Sequence, residues 1–501
     1  MMGAMVGEYA SAYPPLRRRN TGEELEAGFE ASHGAGSESV APRASPTSSV
    51  QERVMRLMQA LVDTGELLGA QACLIVNGKV LVDAAAGQLG VVDPRPVRSE
   101  SLFQLFGAGS SLLATLALSE AHRGALRLDA PVAAVWLAFG AAGKEQLTLA
   151  QLLSHQTGLA GVAPDKAPLR EICDMGAMTK VVAAAREDEE ALREAHAGMA
   201  VHEGLPWGWA LAGVLEASSQ LALETLLERR LTRPLGLQHE LALRLPWSEL
   251  GRVAKHTAVP LMKDAGLDVA ELLASGLATP KTTPRPGVPP AETAPQGDRS
   301  HEGPPSAPSA TAAPSAPAEP EGIDFGKLQG LKQLDLLSTF NMKRLITSVL
   351  PGASAHGSAH GLAQFYAALT AGKLGVPSAL LAQAQQLAQP GKGPAGEPVR
   401  FGLGFQVGSC VEVAKVQGIE VSALVRPLDK FLEKIDKVDR THKLFVLGHA
   451  AVGGTIGFCV PDRKVALAVT VSKLTPNKVA VKKLVELMMG EVGLGSPSGF
   501  W

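Results

Sequence analysis

Several residue types that mark particular classes of protein are scarce in this chain of 501 residues. It has four cysteines and no C-x-x-C pair, which excludes a zinc ribbon or a disulfide-stapled scaffold and favours buried thiols in a reducing compartment. Its 47 Lys and Arg nearly balance its 49 Asp and Glu, so a net charge of −2 draws it neither to nucleic acid nor to acidic membranes. Only three tyrosines are present, Tyr9, Tyr13 and Tyr366, which leaves few positions for catalysis by a phenol.

Long apolar runs are missing as well. No stretch approaches the ~18 residues that a membrane span requires, so we expect no membrane-spanning segment. Residues 1–48 are dominated by Ala, Gly, Ser, Pro and Glu without a helical or strand period, which predicts a disordered tail. A basic run at residues 16–20 is followed closely by Glu23 and Glu24, whereas transit peptides are poor in acids. We therefore expect a cytoplasmic protein and leave organelle targeting open.

The remainder predicts one α/β domain over residues 49–492, followed by a C-terminal tail at 493–501. Twelve prolines fall in residues 280–322, mixed with Ala, Ser, Thr and Glu, which predicts a disordered insertion within the domain. Residues 165–200 are charge-rich and predict a helical insertion at the surface.

Two local patterns predict how the domain begins. Apolar residues recur at helical spacing from Ser49 onward and indicate an amphipathic helix. The dipeptide Asn77-Gly78 then separates two apolar runs, which is the strongest short signal for a β-hairpin.

The stretch from Ser101 to Val132 is the one around which the rest of the chain is organised. A short apolar run at 102–106 predicts a strand, and the Gly-rich break after it predicts a turn. A helix with a broad apolar face follows and should stop at Gly124. Ser110 and Ser111 stand at the start of this helix, where we expect them to cap the free N–H groups of its first turn.

The motifs of this stretch and of four later ones resemble the serine β-lactamase-related family, which includes class C β-lactamases, D-peptidases and esterases. The matching motifs are Phe103 with GALRLDAPV (124–132), LTLAQLLSHQTGL (147–159), WGWALAGVLE (207–216), PLGL (234–237) and FGLGF (401–405). The 337–375 region is similar to plant- and algal-type eukaryotic members. The resemblance implies a penicillin-binding-protein-like fold, in which a central antiparallel β-sheet is flanked by helices and accompanied by a mostly helical subdomain. It implies no metal and no organic cofactor.

The chemistry of that family is poorly represented in this chain. Its nucleophilic Ser and activating Lys stand three residues apart, so that both lie on one helical face and the ammonium favours loss of the Ser proton. Ungapped alignment puts Gly107 at the Ser position and Ser110 at the Lys position, and no lysine here has a serine three residues before it. The Tyr and Asn of the family's Tyr-x-Asn turn fall on Gly204 and Pro206. Its His-x-Gly strand motif survives only as His449 and Ala451, whose methyl group should crowd a substrate.

Two functions remain open on the sequence. The missing reactive pair favours a catalytically degenerate protein without enzymatic activity, which would bind an unknown protein partner or small ligand, alone or as part of a larger assembly. The alternative is a serine hydrolase, acting on esters, amides or peptides, with a rearranged site. Its fallback residues would be Ser110 or Ser111 as nucleophile and His202 or His449 as base. His155, at the end of a predicted helix, is interpreted as a structural residue that caps carbonyl groups.

Overall fold

The fold is a large β-sheet, antiparallel except at the edge pair of β5 (Ala200–Val201) and β9 (Gln389–Lys392), with helices packed against it. The computed structural model describes residues 49–159, 162, 169–187, 189–258, 340–393, 398–413, 443–451, 453–475 and 478–501. The predictions for the tail at 1–48 and for the insertion at 280–322 lie outside the described residues. Among the described helices, none combines the length and the apolar character that crossing a bilayer requires.

Fifteen strands are found in the described residues, and ten of them form the main sheet in the order β3-β2-β1-β14-β13-β12-β11-β10-β9-β5. The strands are β1 Gly69–Val76, β2 Lys79–Gly90, β3 Asp93–Pro96, β4 Phe103–Gln104, β5 Ala200–Val201, β6 Leu241–Ala242, β7 Thr257–Ala258, β8 His356–Gly357, β9 Gln389–Lys392, β10 Pro398–Gly402, β11 Phe405–Val411, β12 Lys443–Ala450, β13 Ile456–Val460, β14 Val465–Val471 and β15 Lys473–Leu474. Strand β1 pairs with β14, so the two ends of the domain meet in the middle of the sheet, as the resemblance implies.

Thirteen α-helices are found in the same residues. They are α1 Ser49–Asp63, α2 Ser110–His122, α3 Leu149–Leu153, α4 Leu169–Ile172, α5 Met175–Ala184, α6 Glu189–His196, α7 Gly204–Ser219, α8 Leu223–Leu227, α9 Arg233–Leu235, α10 Lys343–Ile346, α11 Ala359–Thr370, α12 Ser378–Gln386 and α13 Val479–Glu491. Helices α1 and α13 pack together at the sheet, and α11 lies against β1, β13 and β14. Helices α3 to α9 supply the mostly helical part between the two groups of strands, which confirms the predicted fold class.

The hairpin predicted at Asn77-Gly78 is present between β1 and β2. Both residues have positive φ, at 51° and 76°, which is the backbone of a two-residue turn whose twist suits the flanking strands. The amphipathic helix predicted from Ser49 is α1, and it buries Val54, Leu57, Met58 and Leu61 of its apolar stripe.

Helix α2 occupies the centre of the domain. Every residue from Ser110 to Glu120 is buried, so the helix is enclosed on all sides and not only along the predicted apolar face. It ends at His122, and Gly124 follows with φ of 80°, in agreement with the predicted stop. The predicted strand before it is shorter than expected: β4 covers only Phe103–Gln104, and a 3₁₀ turn, Phe106–Gly109, replaces its end.

The described residues of the predicted insertion at 165–200 and of the predicted C-terminal tail at 493–501 are more ordered than expected. The 165–200 region is divided into α4, α5 and α6, and α5 buries Met175, Met178 and Val182 and so is only partly a surface helix. Residues 493–501 run beside β11, where the Ser498 amide donates to the carbonyl of Ser409 and Phe500 is buried.

Helix α7 approaches the chain at Pro351 so closely that it requires a glycine. A methyl group at Gly208 would overlap the backbone carbonyl of Pro351. We expect Gly208→Ala to lower the free energy of unfolding by about 1–3 kcal/mol, because backbone on both sides must move. Gly251→Ala is the matched control, since a methyl group there meets no atom within 4 Å. Urea unfolding of both variants measures the difference, and equal stabilities would contradict this close packing.

Candidate active site

A strained turn leads into α2. Phe106 has φ of 46°, a left-handed conformation that is costly for a bulky residue and is seen most often at functional sites. Its ring is held edge-on by His256 and Phe340, with centroid distances of 5.2 and 5.6 Å. The next residue is Gly107, for which the nearest neighbour of an added methyl group would be the Cα of Ala451, at 3.9 Å. The turn therefore places position 107 at the end of β12, with room for a side chain that this protein lacks.

The two serines that open α2 do not cap it. The N-cap is Gly109, and no side chain bonds to the first-turn amides, because a 3₁₀ turn already precedes the helix and occupies the capping position. The prediction that Ser110 and Ser111 are helix caps is therefore wrong. Ser110 is 6% exposed, and its hydroxyl makes no hydrogen bond to a described residue, whereas Ser111 is fully buried.

Ser111 lies at the junction of three elements. Its Oγ is 2.7 Å from Oη of Tyr366 on α11 and 3.0 Å from Nδ1 of His449 on β12. All three side chains are buried, with exposures of 0, 0 and 3%. A serine hydroxyl in contact with an imidazole nitrogen is the arrangement in which a base takes the serine proton. The structure thus brings together two of the predicted fallback residues, Ser111 and His449, and adds Tyr366.

Burial sets the protonation of this group. It lowers the pKa of His449 to about 3, with a further contribution from the imidazole of His202, so the His449 ring is neutral at physiological pH. Burial also raises the pKa of the Tyr366 phenol far above its usual range, although its hydrogen bonds oppose the shift. Tyr366 therefore keeps its proton, and Ser111 is the side chain that shares a hydrogen bond with it; either hydroxyl can be the donor.

His202 and Gly204 stand on the far side of the site, at the start of α7. His202 is partly exposed, and its ring is 5.3 Å from that of His155 and 6.0 Å from that of Phe401. Burial lowers the pKa of His202 to about 4, so this imidazole is neutral too. Gly204 has φ of 55°, and a methyl group there would meet no atom within 4 Å. Pro206 is buried in the first turn of α7 and carries no polar group toward the site.

His155 is structural, but not in the predicted way. It follows α3 with φ of 55°, and its Nδ1 accepts the amide hydrogen of Glu203 at 3.4 Å. Its ring packs on those of Trp207 and Phe401, with centroid distances of 5.0 and 4.5 Å. The side chain therefore supports the start of α7 and caps no carbonyl group of its own helix.

Glu203 is a buried acid that sequence reasoning overlooked. Its carboxyl group accepts from the amides of Thr157 and Leu159 and from the Thr157 hydroxyl. Burial raises its pKa to about 7 in spite of these bonds. A lone Glu beside a Gly gives no sequence signal of burial, since the contacts that enclose it come from more than 40 residues earlier. Its bonds hold the 157–159 loop against α7, beneath His202.

No group of three or more described His, Cys, Asp or Glu residues is arranged to hold a metal ion. The rings of His155, His202 and His449 all lie near that of Phe401, and the rings of His155 and His202 also contact each other, with centroids 5.3 Å apart.

Glu203 should make stability depend on pH. Its pKa is raised from 4.5, so the stability it contributes is complete below about pH 4.5 and is lost as pH rises through about 7. Glu203→Gln keeps an acceptor oxygen but cannot ionise. We expect the variant to gain on the natural protein by up to about 3 kcal/mol of unfolding free energy between pH 5 and pH 8. Urea unfolding across this range measures the difference, and a pH-independent difference would contradict the buried acid.

Comparison with known proteins agrees with the fold described above. The family described as Beta-lactamase matches residues 54–486. Esterase/beta-lactamase LipL of Mycobacterium tuberculosis is 28% identical over 182 residues, which are 36% of this chain and 41% of that protein. Esterase EstB of Burkholderia gladioli is 27% identical over 207 residues, 38% of this chain and 51% of that protein. The matches thus span about half or less of these curated relatives.

Solved structures share the fold over nearly their whole length. A family VIII carboxylesterase superposes with a TM-score of 0.58 at 19% identity, covering 88% of this chain and 98% of that one. A penicillin-binding protein homolog from Caulobacter crescentus gives a TM-score of 0.55 at 20% identity, covering 87% and 96%. The family match extends over most of the domain, and the chain belongs to the beta-lactamase family.

Proposed function

We propose that this protein is a serine-type hydrolase of esters or related acyl compounds with a rearranged active site. The observation that carries the proposal is the 3.0 Å contact between Ser111 Oγ and His449 Nδ1. The relatives named as esterases support it, since they share the family with this chain. We prefer a hydrolase to a catalytically degenerate protein because a serine and an imidazole are in hydrogen-bond contact. Neither residue occupies the family's Ser or Lys position.

In this reaction Ser111 Oγ attacks the acyl carbon while its proton passes to His449 Nδ1. The carbonyl double bond opens to an oxyanion, which re-forms the carbonyl and expels the alkoxide, and this takes the proton back from His449. Water then attacks the acyl-serine through the same base, which releases the acid and restores Ser111. Tyr366 acts as a positioning residue, because its hydroxyl hydrogen bonds to Oγ at 2.7 Å.

The geometry also predicts that the reaction is slow. Ser111 is fully buried, so the first turn of α2 must move before an acyl group reaches it. The neutral imidazole is available at every physiological pH, but a base with a pKa of about 3 is a weak one. We expect no loss of rate between pH 8 and pH 5 from protonation of His449.

A second function is favoured by a specific observation. Glycine stands at both positions where the family carries its reactive Ser and Tyr, Gly107 and Gly204, and each faces unfilled space. Such a site suits a protein that binds a ligand and does not turn it over. This function is the catalytically degenerate protein expected from the sequence. The expected similarity to plant- or algal-type members is part of the same proposal.

Covalent labelling separates the two functions. We expect a fluorophosphonate probe to modify Ser111, identified by peptide mapping, and Ser111→Ala to lower hydrolysis of p-nitrophenyl butyrate by a factor on the order of 10³ or more. Ser110→Ala is the matched control, because the neighbouring hydroxyl bonds to neither His449 nor Tyr366. Thermal unfolding shows whether each variant is folded. An adduct on Ser110, or no adduct on a folded protein, would reject the assignment to Ser111.

Restoring the family's reactive pair tests whether the turn is still shaped for a nucleophile. Gly107→Ser combined with Ser110→Lys places a hydroxyl and an amine three residues apart, where position 107 has room. We expect this double variant to hydrolyse p-nitrophenyl butyrate at least about tenfold faster than the natural protein. The gain should persist when Ser111→Ala is added, since the new hydroxyl does not depend on it. A folded double variant without any gain would show that the turn no longer presents position 107 to substrate.

A further inference from the structure

Two glycines leave unfilled space in the site. A methyl group at Gly204 would meet no atom within 4 Å, and one at Gly107 would meet only the Cα of Ala451, at 3.9 Å. Both glycines are partly exposed, so this space is open to solvent. No neighbouring side chain fills the space at either glycine, whereas a close-packed protein core would leave no such space.

One chain of contacting residues borders this space. A methyl group built on Gly352 would lie 3.8 Å from Ser110 Oγ and 3.9 Å from Cε3 of Trp207, so these three residues adjoin one another. Trp207 in turn packs on His155, and His155 packs on His202.

A second chain of contacting residues leads from His202 back to the first turn of α2. His202 lies beside Phe401, whose ring is 6.2 Å from that of His449. His449 bonds to Ser111, which adjoins Ser110 in the first turn of α2. We call the space beside these residues, next to Gly107 and Gly204, the glycine cleft.

The polar atom that His449 presents to the glycine cleft is defined by the hydrogen bonds behind it. Either hydroxyl can be the donor in the bond between Ser111 and Tyr366. The donor is assigned to Tyr366, because its buried hydroxyl has no other side-chain partner among the described residues, and the Ser111 proton is then directed to Nδ1 of His449. A neutral imidazole that accepts at Nδ1 carries its hydrogen on Nε2. Nε2 makes no hydrogen bond to a described residue, and it is not completely buried. It is therefore accessible to a ligand. With this assignment, His449 offers the cleft an N–H donor at Nε2.

Charge is absent from the lining described above. Ser110, Ser111, Trp207 and Phe401 cannot ionise at physiological pH, and the imidazoles of His202 and His449 are neutral there. No charged side chain of the described residues contributes to the pKa of either imidazole. Glu203 lies next to His202, but its carboxyl group is turned to Thr157 and Leu159. An anion entering the cleft would lose its hydration without meeting a cation, which is costly.

From this arrangement we infer that the glycine cleft binds uncharged molecules that carry a hydrogen-bond-accepting oxygen, which receives the Nε2 hydrogen of His449, and that it discriminates against carboxylates. The inference rests on the same site as the proposed function and narrows its substrates to neutral acyl compounds. Binding itself does not require hydrolysis.

A matched pair of small probes tests the discrimination. Phenylacetamide and phenylacetate have the same ring and nearly the same shape, but only the second is charged at pH 7. Titration followed by NMR chemical shifts should give phenylacetamide an affinity higher by on the order of 10- to 100-fold. The Nε2 hydrogen of His449, assigned by comparison with His449→Gln, should shift on binding. Equal affinities, or tighter binding of phenylacetate, would overturn the inference.

Filling the space tests its location. Gly107→Leu should weaken phenylacetamide binding at least about tenfold by occupying the cleft, whereas Gly251→Ala, at a distant surface turn, should leave it unchanged. Unaltered binding to a folded Gly107→Leu variant would place the site elsewhere and overturn the inference. The probes are not esters, so binding is scored without turnover. Discrimination by a protein that no fluorophosphonate labels would keep this inference and reject only the proposed hydrolase.

Discussion

One buried hydrogen-bonded junction ties the centre of this protein together. Ser111 joins α2 to α11 through Tyr366 and to β12 through His449, so a single hydroxyl links the central helix, the covering helix and the sheet. Each partner is buried, and removing one leaves the others with unmade hydrogen bonds at a cost of about 1–3 kcal/mol. The junction therefore stabilises the fold and, with Tyr366 assigned as the donor to Ser111, leaves the hydrogen of His449 on Nε2.

This double role explains how a site that lacks the family's reactive pair still has chemical capacity. In the family, a serine and a lysine face the cleft from one helical face. Here Gly107 and Ser110 stand at those positions, and the nearest serine–base contact lies one residue further along, on the inner side of α2. The rearranged pair thus has the contact needed for proton transfer but lies behind the cleft. In the proposed hydrolysis, the rate is limited by access to buried Ser111 and by the low basicity of His449, and not by the absence of a base.

Local patterns predicted much of the fold, because hairpins and helix ends depend on nearby residues. Asn77-Gly78 and the stop at Gly124 are of this kind. The junction is not, since Ser111 lies 255 residues from Tyr366 and 338 from His449. No spacing rule reports such contacts, and His449 was recognised only through its motif. The two serines were misread as caps because the sequence does not reveal that a 3₁₀ turn begins four residues earlier, at Phe106.

Phe106 carries the last step of the argument. Its left-handed backbone costs energy and presents position 107 to the end of β12, although no side chain is there to be presented. Edge-on contacts with His256 and Phe340 hold the ring and offset that cost. The turn makes physical sense if an open cleft beside Gly107 is itself what the protein uses, since relaxing Phe106 would move the chain that borders it.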